Sequence, residues 1–209
     1  MLTLYYMPGA CSRASHIALR EAGADFELRY VDFAATEQRS PEYLRVNPKG
    51  RVPALATERG VISENPAILA YVAQSHPAAR LAPLDDPFEF ARMQAFNSYL
   101  CATVHVAHAH LRRPERWADD PAARAELKRK APEVVANCFQ LIEDEFLTGP
   151  WVLGDAFSVA DCYLFTLTQW LPAHRIDSAR YPKVHDHLTR MLARPAVQAA
   201  LAAEDAAAR

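Results

Sequence analysis

Hydrophobic positions in the first 75 residues switch between strand spacing and helix spacing. Residues 2–6 are a short apolar and aromatic run and residues 26–31 alternate between apolar and polar side chains, and both patterns are typical of β-strands. Residues 12–21 place apolar side chains at helical intervals. Further signals predict a helix from Pro41, strands at residues 52–56 and 61–62, and a helix at residues 64–74. This order of strands and helices predicts an α/β layer with one mixed sheet.

The hydrophobic pattern changes after a proline-containing stretch at residues 78–87, which shows little helical periodicity and is predicted as a linker. Beyond it, every apolar pattern has helical spacing. The predicted helices cover residues 88–111, 121–147, 158–171, 181–193 and 195–203. We therefore predict an α/β domain over residues 1–77 and an all-helical domain over residues 88–209.

The composition is that of an ordinary globular protein. The chain has 209 residues, of which 51% are hydrophobic and 23% charged, with a formal net charge of −2. This near-neutral balance indicates neither a nucleic-acid partner nor an anionic membrane surface. No apolar run approaches the roughly 18 residues needed to span a bilayer, and the N-terminus lacks the features of a secretory signal. We expect a cytoplasmic protein.

The four cysteines show neither a C-x-x-C pair nor a metal-ligand spacing, so they are interpreted as thiols of a reducing compartment. Cys101, Cys138 and Cys162 lie in apolar helical patterns, which indicates packing. Cys11 instead lies where the first strand turns into the first helix. Free N–H groups and the helix dipole there favour an anion, which predicts a lowered thiol pKa. The alternative is a partly buried bystander, and the neighbouring Ser12 could serve only as a helix cap.

Two other segments allow a binding interpretation and a structural one. Val52-Pro53 is either a plain edge-strand proline or a cis turn that directs the Val52 backbone outward, to pair with an extended peptide. Residues 63–66 form a polar cluster where a predicted helix begins. Ser63 and Glu64 either cap that helix, or free N–H groups there hold a carboxylate while the Glu64 side chain holds an ammonium group.

Histidines and a serine-aspartate pair complete the candidate chemistry. Helical spacing places His105 and His108 on one face and His110 away from it, so a three-histidine zinc site is not expected, and no metal is predicted. Ser158 and Asp161 have the spacing of a capping box, which assigns Asp161 to folding rather than catalysis.

Taken in order, these segments resemble the bacterial beta class of the cytosolic glutathione transferases. The resemblance rests on Y-x-P-G-A-C-S at residues 6–12, N-P-K-G-R-V-P-A-L at 47–55, the turn at Glu64, S-V-A-D-C-Y-L-F at 158–165 and A-R-P-A-V-Q at 193–198. It implies a thioredoxin-like N-terminal domain, an all-helical C-terminal domain and a homodimer. It also implies an enzyme that activates the thiol of glutathione, its co-substrate, for attack on hydrophobic electrophiles.

Residue roles follow from this resemblance. The implied catalytic residues are Cys11, Ser12, Tyr6 and His105. The implied glutathione-binding residues are Arg51, Val52, Pro53, Glu64 and Asn65, and the electrophile pocket is lined by Met7, His108, Leu111, Arg112 and Trp170. In this class the cysteine can also form a mixed disulfide with glutathione, which adds thiol-disulfide exchange or peroxide reduction to the expected chemistry.

The sequence departs from the family pattern at three places. Asn65 stands where relatives commonly have Ser or Gly, Val106 replaces a lysine, and residues 34–39 lack a lysine. Candidates to replace the missing positive charge are Arg39, Lys49 and Arg51. These losses keep two alternatives open: a non-catalytic protein that binds glutathione or hydrophobic ligands, and a module whose helical face binds a protein partner.

Overall fold

The computed structural model describes residues 1–207, and its N-terminal part is built on one four-stranded sheet. The strands are β1 (Leu2–Tyr6), β2 (Phe26–Tyr30), β3 (Ala54–Thr57) and β4 (Gly60–Ser63). Their order is β2-β1-β3-β4, with β1 and β2 parallel and the other pairs antiparallel. The predicted mixed sheet is confirmed.

Nine α-helices are present in residues 1–207. The first three are α1 (Ser12–Glu21), α2 (Pro41–Val46) and α3 (Asn65–Ser75). The others are α4 (Pro87–Tyr99), α5 (His105–Arg112), α6 (Pro121–Leu141), α7 (Val159–Thr168), α8 (Pro182–Leu192) and α9 (Pro195–Ala207). Short 3-10 turns occur at Glu37–Arg39, Pro77–Ala79, Pro114–Arg116, Leu171–His174 and Ser178–Arg180. None of the helices in this part of the chain is long and apolar enough to cross a membrane.

Several predicted elements differ from the observed ones. The predicted strand over residues 52–56 begins only at Ala54, since Pro53 has no N–H for the strand ladder. The predicted helix over residues 88–111 is two α-helices joined by a π-helical turn at Leu100–Val104. The predicted helix at 121–147 likewise ends in a π-helical turn, at Ile142–Phe146.

Helices cover both faces of the sheet. Leu4 and Leu55 point to the face covered by α1 and α3 and pack in one core with Ile17 and Ile68. On the opposite face, α2 brings Tyr43 against Tyr5, with ring centroids 5.8 Å apart. The thioredoxin-like layer followed by a helical layer is confirmed. The domain boundaries at residues 77 and 88 stay predictions, and the last two residues of the predicted helical domain lie outside the described residues.

Helix α7 is the central element of the helical part, because all of its residues are buried. The predicted capping box at its N-terminus is confirmed. The Asp161 carboxylate accepts hydrogen bonds from the backbone N–H groups of Ser158 and Val152, each at 2.8 Å, and lies 3.0 Å from His187 Nε2. Packing of α7 against α1 joins the helical part to the sheet and positions the cavity between them.

Candidate functional site

A cavity of about 730 Å³ lies where the sheet and α3 face α5 and α7, and its volume is in the range usual for small-molecule sites. Six predicted residues line its sheet side: Cys11, Arg51, Val52, Pro53, Glu64 and Asn65. Met7, from the loop after β1, also lines the cavity, and four others line its helical side: His105, His108, Arg112 and Trp170. The fold therefore brings together residues that are up to 163 positions apart in the sequence, Met7 and Trp170 being the most distant pair.

The Cys11 thiol occupies the predicted place but not the predicted electrostatic state. Cys11 is the N-cap residue of α1, and its Sγ lies 3.3 Å from the Val52 carbonyl oxygen, to which the thiol donates. Burial, together with the neighbouring Cys101 and Glu64, raises the pKa of this thiol to about 12. The expectation of a lowered pKa is wrong for this structure, because loss of hydration outweighs the stabilisation at the helix N-terminus.

Ser12 lies behind the cavity wall. It is fully buried, and its hydroxyl accepts a hydrogen bond from the Met7 N–H and contacts the Met7 carbonyl, both at 3.2 Å. These two contacts join the start of the loop before α1, at Met7, to its end. The predicted catalytic placement of Ser12 is corrected to a structural one, and Ser12 is not the helix cap either, since that position is Cys11.

Tyr6 also lies away from the cavity in which the sequence predicts it. Consecutive strand residues point to opposite faces of a sheet, and Tyr6 lies on the face covered by α1. Its ring packs 5.9 Å from His16 and 6.2 Å from Tyr30, and burial raises the pKa of its hydroxyl. Because Tyr6 is part of the core and does not line the cavity, its predicted catalytic role is corrected.

The segment before β3 presents the Val52 backbone at the cavity. The Val52-Pro53 peptide bond is cis. The preceding carbonyl, that of Arg51, accepts hydrogen bonds from the Tyr43 hydroxyl at 2.7 Å and from Asn47 Nδ2 at 2.6 Å. These two bonds hold the backbone next to Val52 in place, so the segment is prearranged before any ligand arrives.

Glu64 and Asn65 differ in what they offer a ligand. Glu64 has φ 73°, which is unfavourable for a residue other than glycine, and its carboxylate forms no cap bond. That carboxylate pairs with Lys49 Nζ at 2.5 Å on the exposed side of the site. The capping interpretation is therefore wrong for the Glu64 side chain.

The Asn65 amide is occupied within the protein. Its Nδ2 donates to the Cys11 carbonyl at 2.9 Å, and its Oδ1 accepts from the Ser15 hydroxyl at 2.7 Å. Asn65 thereby joins α3 to α1. The side-chain amide is therefore not available to a ligand, and the backbone N–H at the start of α3 is the group that Asn65 can present.

An aromatic wall faces Cys11 across the cavity. The Trp170 indole donates to the Gly9 carbonyl at 3.0 Å, and its ring centroid lies 5.1 Å from that of His105 and 5.4 Å from that of His108. His105 Nδ1 lies 3.1 Å from the Tyr163 hydroxyl. Burial, together with the charges of nearby arginines, lowers the pKa of His105 to about 4, so its imidazole is neutral at pH 7.

Leu111 does not line the cavity. Neighbouring helix residues are rotated by about 100° from one another, and Leu111 is turned away while Arg112 shares the face of His108. Its predicted place in the electrophile pocket is corrected. His110 also points away and packs on Trp117, with ring centroids 4.4 Å apart. Within residues 1–207, no group of three or more metal-ligating side chains is found.

Several of the residues that line the cavity are not among those predicted from the sequence. Cys101 was interpreted as packing, yet it lines the cavity, where the Tyr163 hydroxyl hydrogen-bonds its thiol. Its position four residues before His105 on a helical pattern is a signal that could have identified it. Tyr163 had no comparable signal, because only the packing of α7 brings it near Cys11.

Part of the positive charge in the cavity comes from arginines that are not predicted from the sequence. Arg51 lines the cavity as one of the candidates to replace the missing lysines, whereas Lys49 is bound to Glu64 and Arg39 lies outside the cavity lining. Two further arginines, Arg113 and Arg116, line it from the segment after α5. The Arg116 charge slightly opposes the rise in the Cys11 pKa that burial causes.

Comparison with known proteins agrees with this geometry. Family models described as glutathione S-transferase N-terminal domain and C-terminal domain match residues 1–74 and 96–195. Glutathione S-transferase GstA of Escherichia coli O157:H7 is 36% identical over 207 residues, covering 97% of this chain and 98% of the relative.

Two solved structures are similar over nearly the whole chain. A glutathione transferase homologue from Sulfitobacter with bound glutathione is 44% identical, with a TM-score of 0.92, covering 95% of this chain and 96% of that one. A bacterial beta class glutathione S-transferase from Sphingomonas chungbukensis is 40% identical, with a TM-score of 0.85, covering 97% of this chain and 98% of the other.

Proposed function

The chain belongs to the glutathione S-transferase family, and from that membership we propose that it is a beta-class enzyme whose chemistry takes place in the cavity beside Cys11. It is a glutathione transferase with glutathione as co-substrate. The beta-class assignment is supported by the similarity to the Sphingomonas chungbukensis enzyme and by a cysteine at the N-terminus of α1.

Glutathione is proposed to bind along the sheet side of the cavity. Its cysteinyl backbone pairs with Val52 in the manner of an added strand. The γ-glutamyl carboxylate lies at the N-terminus of α3, at the Asn65 N–H, and its ammonium group lies at the Glu64 carboxylate. Arg51 is the group in this part of the cavity that can hold the glycine carboxylate. The observation that carries this proposal is that these groups line one cavity together with Cys11.

Conjugation requires the glutathione thiol to lose its proton before it attacks. His105 Nδ1 is bonded to Tyr163, so we assign Nε2 as the first acceptor of that proton, which then passes to solvent because an imidazole with a pKa of about 4 does not retain it at pH 7. The sulfur then forms a bond to the electrophilic carbon, and the leaving group departs with the electron pair. The charges of Arg51 and Arg116 favour the thiolate over the thiol.

Cys11 provides a second reaction, thiol-disulfide exchange. Its thiolate attacks one sulfur of oxidised glutathione, forms a Cys11–glutathione mixed disulfide and releases a glutathione thiolate. The raised pKa of Cys11 makes this reaction depend on proton removal. We therefore propose conjugation as the main activity and exchange as the slower one.

Mass spectrometry and turnover measurements test both reactions. After incubation with oxidised glutathione, intact mass analysis is expected to show one glutathione adduct, absent in Cys11→Ala and retained in the matched cavity variant Cys101→Ala. Cys11→Ala is also expected to keep a measurable part of the conjugation activity. If Cys11→Ala lost both activities together, the assignment of proton removal to His105 would be wrong.

The alternative is a non-catalytic protein that binds glutathione or hydrophobic ligands, and the absence of the family lysine at Val106 favours it. Binding to immobilised glutathione without turnover of any electrophile or disulfide would establish this alternative. Failure to bind glutathione at all would instead favour a protein-binding module.

The homodimer and the cytoplasmic location are also proposals. Phe88, at the start of α4, has 71% of its surface exposed, and Val61 and Leu84 are further exposed apolar side chains. Such apolar exposure favours a subunit contact. The four cysteines are all free thiols, as expected of a protein that works in a reducing compartment.

A further inference from the structure

The cavity carries more positive charge than glutathione needs. Four arginines line it, Arg51, Arg112, Arg113 and Arg116. Among the described residues that line it, Glu64 is the only acidic one, and its carboxylate is paired with Lys49. None of the ion pairs formed within residues 1–207 includes any of the four arginines.

Three of the four arginines come from the end of α5 and the turn after it, and Arg116 is near enough to Cys11 for its charge to act on that thiol. Arg112 follows His105 and His108 on the same face of α5. Seven residues of helix correspond to about 10 Å, so the Arg112 backbone lies about 10 Å beyond that of His105. Arg116 follows in the turn Pro114–Arg116. These side chains line the helical side of the cavity together with the Trp170 ring.

Their mutual repulsion is only partly relieved, since Glu115 is the one carboxylate in residues 1–207 whose charge acts on Arg116 against those of Arg51 and Arg113. Burial lowers the pKa of the Arg116 guanidinium, and the charges of Arg51 and Arg113 lower it further. Like charges held together without counter-ions raise the potential of a cleft and attract an anion to it. Arginine also presents paired N–H groups that match the two oxygens of a carboxylate.

Glutathione accounts for only part of this charge. Its ammonium group is assigned to Glu64, and its two carboxylates are assigned to Arg51 and to the N-terminus of α3. Arg112, Arg113 and Arg116 are then left for the second substrate. The apolar surface between them and Cys11 comes from Met7 and Trp170, which suits an unsaturated or aromatic body.

We propose that the electrophile of this transferase carries a carboxylate, which Arg112 and Arg116 bind while its apolar body lies against Trp170. This inference rests on the proposed function and narrows the expected hydrophobic electrophile to an anionic one. With an aryl chloride, the glutathione sulfur bonds to the ring carbon, the carbon–chlorine bond breaks and chloride leaves with its electron pair. The carboxylate is unchanged by the reaction.

A pair of matched electrophiles tests the proposal. 4-Chloro-3,5-dinitrobenzoate and 4-chloro-3,5-dinitrobenzamide share the same reacting carbon and differ in the negative charge. Their kcat/KM values at saturating glutathione, each divided by the uncatalysed rate with glutathione in solution, give a preference ratio. The proteins compared are the unaltered chain, Arg112→Gln with Arg116→Gln, and the control Arg59→Gln, which removes an exposed charge in the β3–β4 turn.

The unaltered protein is expected to prefer the benzoate, and the double variant to lose about tenfold or more of that preference, as expected for a charge-assisted hydrogen bond worth about 1.5–3 kcal/mol. The KM for the benzoate changes more than the KM for glutathione. Arg59→Gln keeps the ratio, and added salt reduces it in the unaltered protein.

Two results separate failure of this inference from failure of the proposed function. Turnover of both compounds with equal preference in the unaltered protein and the double variant would overturn the anionic electrophile. Turnover of neither compound by the unaltered protein would count against conjugation itself.

Discussion

At the scale of single residues, burial decides the chemistry of Cys11 more than its position in a helix does. The N-terminus of α1 was expected to stabilise a thiolate. Instead the thiol donates to the Val52 carbonyl and its pKa is raised to about 12. A charge near a helix end gains a fraction of a kcal/mol to about 2 kcal/mol, whereas burying an ion removes several kcal/mol of hydration energy.

We predict that Cys11 reacts slowly with iodoacetamide near pH 7 and that its rate rises about tenfold per pH unit to at least pH 9.5, because the thiolate fraction rises in that proportion below the pKa. Peptide mapping of alkylated protein measures the rate at each cysteine separately. Cys162, which is fully buried, provides an unreactive internal control. A rate that levels off between pH 5 and pH 8 would contradict the raised pKa.

At the scale of elements, α9 holds the loop that carries Cys11. Glu204 of α9 is fully buried, and its Oε2 accepts from the Gly9 N–H at 2.9 Å and from Arg13 Nη2 at 2.7 Å. Burial alone would raise the pKa of Glu204, but hydrogen bonds and the charge of Arg13 outweigh it, so the pKa is lowered. Trp170 binds the carbonyl of the same Gly9, so both peptide groups of Gly9 are held from the helical part.

Glu204→Gln is therefore expected to lower the free energy of unfolding by about 3 kcal/mol, because Arg13 keeps its charge without its buried partner. Denaturant unfolding measures this change. The control is Asp205→Asn, which alters an exposed carboxylate on the same helix and should change stability by less than about 0.5 kcal/mol. Loss of activity at unchanged stability would contradict a structural role for Glu204.

A second element-scale feature is a buried histidine pair between α5 and the turn Leu171–His174. His108 Nδ1 lies 2.9 Å from His174 Nε2, and the other nitrogen of each ring has no partner within the described residues. Burial lowers the pKa of His174 to about 4 and that of His108 to about 2. Both rings are neutral at pH 7, as a pair at this distance requires.

The pKa of histidine in the unfolded chain is about 6.5, and above this pH the buried neutral histidines leave the stability of the fold intact. As the pH falls from 6.5 towards 4, the unfolded chain binds protons that the folded protein does not, so stability is lost. Between pH 7 and pH 4, the free energy of unfolding of His174→Gln is expected to fall by about 2–3 kcal/mol less than that of the unaltered protein. His185→Gln changes an exposed histidine and should leave the slope as it is. An unchanged slope in His174→Gln would show that the pair does not drive acid unfolding.

At the scale of the whole molecule, the proposed homodimer depends on exposed apolar surface. Phe88→Ser is expected to shift the protein from twice the monomer mass to the monomer mass, because the substitution removes a large apolar contact. Light scattering coupled to size-exclusion chromatography measures this. Leu141→Ser, another exposed apolar position, serves as the control and should stay dimeric. A protein that is monomeric before any substitution would overturn the dimer.

Much of the architecture could be predicted because it is encoded locally. The alternation at residues 26–31, the capping box at Ser158 and Asp161, and the helical spacing after the proline-containing stretch each depend on neighbours a few positions away. Such periodicity determines which elements form and which face they bury. The ordered motifs also identified the family, and most of the implied cavity residues do line one cavity.

What only the tertiary structure decided concerns groups that meet across elements. Tyr6 joins the core because alternate residues of β1 point to opposite faces of the sheet. The Ser12 hydroxyl bonds to Met7 within the loop before α1, a contact that no local sequence pattern predicts. Cys101, Tyr163 and Arg116 enter the cavity because α7 and the end of α5 pack there. Hydration and charge depend on every atom nearby, so pKa values and the charge of the cavity follow from packing, whereas the order of strands and helices follows from the sequence itself.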